Sequence, residues 1–287
     1  MRGLNLAFRL GELVARGPAL DSIMGLLTNA TGGGGWDALT PGSGDSLTVK
    51  AFPQGSRAHL IMLHAGNSTT KCDFSLRSPR MHDSTRGYRV GYEFNPTASG
   101  ADGNPQILFP RGVKQEMYST DTLVIETLAT ANDDVNVILS IYYEQLGGID
   151  ARLITPAEVK ARTRNLLGNR VSPTAGATNL YGTAEAINTD DDRFKADTDY
   201  ALLGFASDLP FTSLGIKGPD TGNVRAAAPG HWDSRVTTRY FLDLSEKTGL
   251  PLVPVINSNN KGVTFVDAVD AVTNVAPLLC LLWAELS

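Results

Sequence analysis

Apolar and polar residues alternate along much of this chain. In "VNVILSIYYEQL", Val135, Val137, Leu139, Ile141 and Tyr143 fall on one side at a spacing of two, which predicts a strand with one buried face. Shorter runs of the same texture precede it: "LTVKAF", "AHLIMLHA", "CDFSLRSP", "GYRVGYEF" and "TLVIETLAT". A second series, "YALLGFA", "FTSLGIKG", "VRAAAPG", "TTRYFLDLS", "LPLVPVI", "GVTFVDAVD" and "APLLCLLWAEL", fills the last third. With 29 glycines and 15 prolines supplying turns, the pattern predicts an antiparallel sandwich or barrel rather than βαβ units. No GxGxxG or GxxxxGKS/T loop opens a helix, so the nucleotide-binding α/β folds drop out.

Helical spacing is confined to two places. Residues 3 to 16 put Leu6, Leu10, Leu13 and Val14 on one stripe, with Arg2, Arg9, Glu12 and Arg16 off it; Pro18 stops that helix. "ALDSIMGLLTNA" reads as a second short helix, and "TGGGGWDALTPGSGDS" as a flexible linker. Farther on, Thr155, Pro156 and Glu158 spell an N-cap, a first-turn proline and a capping box, and Gly168 stands where a C-terminal stop belongs. These signals divide the chain into a helical arm and Gly-rich linker (1–45), a first sandwich (46–146), a connecting helix and loop (147–194) and a second sandwich (195–287).

The two sandwiches read as copies. "FSLRSP" at 74–79 falls on "LGIKGP" at 214–219, a shift of 140. The same shift lays 123–146 on 263–286 without a gap, setting Leu139 on Leu279 and Tyr143 on Trp283. "LIMLHAG" meets "ALLGFAS" at a shift of 141. Each module of about a hundred residues has room for seven or eight short strands in two sheets.

Composition narrows the partners. A net charge of −5 and the lack of any basic stripe argue against direct, sequence-specific nucleic-acid binding. The two cysteines, Cys72 and Cys280, cannot build a disulfide framework and read as apolar thiols. No apolar run is long enough to span a membrane, and Arg9, Gly11 and Glu12 interrupt any signal-peptide core, so a soluble, unsecreted chain is expected.

An N-terminal helix, two tandem β-sandwich modules and a linking helix together resemble the double jelly-roll major capsid proteins of icosahedral, often membrane-containing, bacterial viruses. The resemblance lies in architecture over nearly the whole chain and not in a diagnostic motif. It implies an all-β fold of two tandem antiparallel jelly-roll-like sandwiches and pseudo-hexameric trimers tiled into a capsid. It also implies a place in the virion, with synthesis in the host cytoplasm. Arg2, Arg9 and Arg16 would then face the interior or an enclosed membrane, next to other virion components.

Chemistry is thinly signalled. His64, Cys72, His82 and Asp83 lack the paired spacing of a zinc site, and His82, Asp83 and Ser84 sit too close in sequence to converge as a triad. Asp190, Asp191 and Asp192, with Asp197 and Asp199, offer oxygen ligands but no EF-hand spacing. Tyr88, Tyr92, Trp232 and Tyr240 are candidate sugar platforms or packing residues. A glycosidase would draw on Glu93, Glu116, Glu126, Glu144, Asp267 or Asp270, which the sequence does not pair. The reading is a structural shell protein, not an enzyme, with no cofactor or metal. The alternative is a tandem carbohydrate-binding or adhesion protein.

Overall fold

The computed structural model describes residues 17–30, 35–42, 46–67, 72–81, 88–92, 115–129, 133–146, 151–175, 181–208, 211–229, 237–270 and 278–287. Their β-structure is organised in two lobes. The first contains β1 (Ala19–Ala30), β2 (Asp37–Ala38), β3 (Thr40–Pro41), β4 (Ala58–Asn67), β5 (Cys72–Arg77), β6 (Tyr88–Tyr92), β7 (Gln115–Met117), β8 (Val124–Ala129) and β9 (Asp133–Tyr143). These form two antiparallel sheets, β3-β1-β9-β4-β7 and β2-β8-β5-β6. Ile23, Leu60, Phe74, Ile125, Leu139 and Tyr143 belong to the core of this lobe.

The second lobe contains β10 (Leu153–Ile154), β11 (Thr163–Val171), β12 (Glu185–Ala186), β13 (Asp199–Ser207), β14 (Phe211–Lys217), β15 (Ala226–Pro229), β16 (Val253–Asn257), β17 (Phe265–Asp270) and β18 (Leu279–Leu286). Its sheets run β10-β16-β13-β18-β11 and β12-β17-β14-β15. Without the two-residue strands β3 and β10, the lobes have one and the same strand order. β1-β9-β4-β7 corresponds to β11-β18-β13-β16, and β2-β8-β5-β6 to β12-β17-β14-β15. Eight strands wound this way into two facing sheets are a jelly roll. The all-β, two-sandwich expectation holds.

Pairing fixes which residues correspond. Core residues Phe74 and Leu76 fall on core residues Leu214 and Ile216, which supports the 140-residue shift between β5 and β14. Phe74, however, opposes Thr127 as Leu214 opposes Ala268, so β8 and β17 correspond at 141 rather than at the expected 140. The central strands follow another register. A bulge skips Ile61, so that Leu60 pairs with Ile141 and Met62 with Ser140. The matching bulge skips Leu203, with Leu202 on Trp283 and Gly204 on Leu282. Both strands therefore correspond at a shift of 142, not at 141 and 140. An even change leaves β9 facing the same way, whereas an odd one turns every side chain of β4 over.

Three local expectations are overturned. Residues 19–30 are a strand, because β1 pairs with β9 over nearly its whole length. Its apolar residues lie on both sides because both sides are buried, and a strand of that kind cannot be told from a helix by period. The first lobe thus begins at Ala19 rather than 46. Helix α1 (Pro156–Arg162) has the predicted capping box, but ends at Thr163, whose backbone is extended. From there β11 pairs with β18, so residues 163–171 belong to the second sandwich, and Gly168 lies inside a strand. "TTRYFLDLS" is not a strand either. Most of it lies in α2 (Tyr240–Thr248), stopped by Gly249 in the left-handed region at φ 70°. The expected helix at 3–16 lies outside the described residues.

Gly204 ties β13 to the segment before α2. A β-carbon there would sit 2.1 Å from the Thr237 carbonyl oxygen and 2.6 Å from the Thr238 carbonyl carbon, both backbone atoms. Gly204→Ala is expected to destabilise the fold by about 1–3 kcal/mol, read as a lower urea midpoint. An unchanged midpoint would show that the α2 segment shifts away at no cost.

Candidate functional site

Among the described residues, those singled out for chemistry do not converge. His59 is buried, with Nε2 3.6 Å from Glu144 Oε1. His64 and Cys72 lie on β4 and β5, while His82, Asp83, Ser84, Glu93, His231 and Trp232 lie outside the described residues, as do Arg2, Arg9 and Arg16. No group of three or more His, Cys, Asp or Glu among the described residues is arranged to hold a metal ion. The acidic loop is spent on local partners. Asp191 pairs with Arg193 at 2.8 Å, Asp192 with Lys261, and Asp197 accepts a hydrogen bond from Asn259. Two of the carboxylates considered for glycoside hydrolysis are bound to arginine, Glu126 to Arg77 and Asp267 to Arg225. Tyr240 is no sugar platform: it is buried, and its hydroxyl donates to the Met62 sulfur at 3.4 Å. Tyr88 and Tyr92 are the end residues of β6.

What the fold does build is a seam between the lobes. Alternate residues of β1 turn away from the first core: Leu20, Ser22 and Met24 are 1%, 1% and 0% exposed. They are covered by the second lobe. The free edge of β15 lies on Ser22, whose backbone N–H donates to the Arg225 carbonyl at 2.7 Å. The Ser22 Oγ accepts from the Ala227 N–H at 3.1 Å and lies 3.2 Å from Ser140 Oγ on β9. Met24 and Ile138 form one apolar cluster with Tyr181 and Val269. Leu20, Ile61, Met62 and Tyr142 are absorbed into the second lobe's core cluster. Burying this many apolar side chains, with the serine's polar atoms satisfied, makes the two lobes a single block.

A charged cluster braces the same side. Arg225 and Asp267 pair at 2.9 Å with only 12% and 11% of their side chains exposed, and the guanidinium stacks 3.7 Å from the centre of the Tyr181 ring. Gly215 makes room for them, since a β-carbon there would lie 2.5 Å from Arg225 and 2.6 Å from Asp267.

At the outer end of the second lobe, Arg152 holds Asp199 at 2.7 Å and the buried Asp220 at 3.1 Å, while Asn257 donates to Asp199 at 2.8 Å. Burial works against ionising Asp199, but the hydrogen bonds from Asn257 and Arg152 and the nearby arginine charges outweigh it. The carboxyl is therefore held below its ordinary range. A carboxylate with a folded pKa below its unfolded one contributes stability above the unfolded value of about 3.9 and loses it as pH falls through the folded value. The urea midpoint is expected to drop from about pH 5 downward, and less steeply in Asp199→Asn. Equal slopes in the two proteins would show that Asp199 plays no part in the acid response.

Solvent-facing apolar residues are few. Among the described residues the large ones are Tyr118, Leu166, Val263, Phe265 and Leu278, and Leu166 at 74% is by far the most exposed. No helix among the described residues is long and apolar enough to cross a membrane.

No protein-family profile matches the chain, and no curated protein matches it. Among solved structures, the crystal structure of the STIV MCP aligns over 93% of this chain and 96% of that chain, at 8% identity and a TM-score of 0.22. An overlap that loose carries no argument beside the strand order itself.

Proposed function

We propose that this chain is the repeating subunit of a virus shell: a major capsid protein whose copies associate as trimers of six similar lobes and tile an icosahedral capsid of a bacterial virus. One observation carries the reading. The same jelly-roll strand order occurs twice, and the two copies are locked face to edge by a buried seam. Jelly rolls serve in capsids and in lectins alike, so fold by itself is analogy. The fused, seam-locked pair favours the shell, because a rigid two-lobed block is a building element, whereas independent binding modules need no such seam. Burial of Tyr240 weighs in the same direction.

The work of such a subunit is association, not catalysis. Contact energy comes from apolar patches and a few aromatic or arginine anchors. Arg2, Arg9 and Arg16 belong to an arm directed inward, toward an enclosed membrane or another virion component. Sedimentation of the purified 30.6 kDa chain, complemented by negative-stain imaging, tests the proposal. Three-copy particles and ordered lattices are expected. A chain that stays monomeric at its highest soluble concentration excludes a shell role.

A further inference from the structure

One segment of the second lobe is held by side chains rather than by strand pairing. Residues 188–198 run from β12 to β13 and belong to no strand or helix. Midway along them, Phe194 turns inward over the lobe's core. Its ring meets Tyr200 at 4.9 Å and Trp283 at 5.6 Å, edge-on in both cases. Phe194 is 8% exposed, and the Tyr200 and Trp283 rings beneath it 1% and 0%. The segment is a strap with one aromatic plug.

Carboxylates fasten it. Lys195, next to the plug, donates to both oxygens of Glu285 on β18, at 2.8 and 2.7 Å. Asn165 of β11 donates to the same carboxylate at 3.3 Å. Before the plug, Asp192 pairs with Lys261 of the turn Ser258–Val263 and accepts from the Phe194 N–H. After it, Asp197 accepts from Asn259 at 2.6 Å with its own backbone in the left-handed region at φ 49°. A non-glycine residue keeps that conformation at a cost in free energy, so its surroundings must fix it. Asp199 then anchors the end of the strap to Arg152 and Asn257.

These contacts respond to acid in one direction. The Lys195 ammonium, then Asn165 and the Arg164 charge, hold Glu285 below its ordinary range against the effect of burial. The hydrogen bond from Lys261, helped by the Phe194 N–H, does the same for Asp192. Asp191 pairs with Arg193 inside the strap and fastens nothing. Glu185 of β12 works the other way: burial and the Asp190 charge hold its carboxyl above the ordinary range. Its protonation therefore comes first and eases the repulsion at that end. The described histidines, His59 and His64, lie on β4 of the first lobe.

We propose that residues 188–198 are an acid-released strap: protonation of Glu285, Asp192 and Asp199 frees it, Phe194 swings out, and Trp283 and Tyr200 become accessible. The turns at Ala186–Thr189 and at Asp197 are its hinges. A carboxylate with a lower pKa in the closed strap than in the open one favours closure above the open value. That preference is lost as pH falls through the closed value. The chain then shows at low pH an aromatic surface that it hides at neutral pH. The inference concerns one lobe of one chain and does not rest on the shell reading.

Hydroxyl-radical footprinting of the full chain, read residue by residue by mass spectrometry, tests the strap. From about pH 7 to about pH 3.5, oxidation of Phe194 and Trp283 is expected to rise about tenfold or more. One unit of pKa difference at one carboxylate is already a change of about tenfold in the opening equilibrium. Phe74 in the first lobe's core is expected to stay protected, with the far-UV circular dichroism unchanged. Glu285→Gln combined with Asp192→Asn is expected to show the raised oxidation at neutral pH. If Phe194 and Trp283 gain reactivity only together with Phe74, the whole chain is unfolding and the strap is overturned. A folded double variant as protected as wild type at neutral pH overturns it too. Should the variant fail to fold, the wild-type pH series decides alone.

Discussion

Trp283→Ala is expected to cost about 3–5 kcal/mol, the range for truncating a large buried aromatic. The indole is fully buried in β18 and packs edge-on against Phe194, with ring centres 5.6 Å apart. Its Nε1–H donates to Asn169 Oδ1 at 2.7 Å, and Asn169 in turn donates from Nδ2 to the Ile187 carbonyl at 2.6 Å. Volume and polarity can be separated. Trp283→Phe keeps much of the packing but leaves the buried Asn169 oxygen without its donor, a loss of about 1–3 kcal/mol. Trp283→Phe with Asn169→Leu removes the stranded oxygen but also the donor to the Ile187 carbonyl, so little of that loss is expected to be recovered. Urea unfolding of the three variants gives the comparison. If the phenylalanine variant proves as unstable as the alanine one, the hydrogen bond matters more than the volume.

Arg225→Met is expected to be the other large loss, about 3–5 kcal/mol, because it takes the guanidinium away from the Asp267 carboxylate in a site only 11% exposed. Arg225→Met combined with Asp267→Leu should restore most of it, since neither side chain then has a charge to solvate. The backbone carbonyl of Arg225 receives the Ser22 N–H, so strain at this pair is transmitted to the seam. Limited proteolysis of the single variant is expected to be faster than in wild type. A double variant no more stable than the single would mean that the arginine acts mainly through Tyr181 and the seam.

The two predictions bear on opposite sides of the second lobe, and so on different aspects of the proposed function. Trp283 holds one jelly roll together. Arg225 and Asp267 help hold that jelly roll against its twin.

Much of this was written in the residue pattern. Period-two alternation in β9 gave a strand with Val137, Leu139, Ile141 and Tyr143 inward, and all four are buried. The capping box at Thr155 and Glu158 marked the start of α1, because caps are local chemistry and depend on nothing distant. The repeat was visible at β5 and β14, where an inward apolar residue at every second position survives divergence. Its register at β4 was not, since an odd shift and an even one differ only by which face is buried.

The seam lay beyond the sequence. β1 is apolar on both sides because one side meets its own core and the other meets the second lobe, and no local rule distinguishes that from a helix. The end of α1 at Thr163 was equally remote, for it is set by the pairing of β11 with β18, more than a hundred residues away. Alternation and capping are short-range, so the chain alone determined that it would be β-rich, doubled and capped at Thr155. Which faces are covered depended on contacts between residues far apart in the chain, and only the folded pair of lobes decided them.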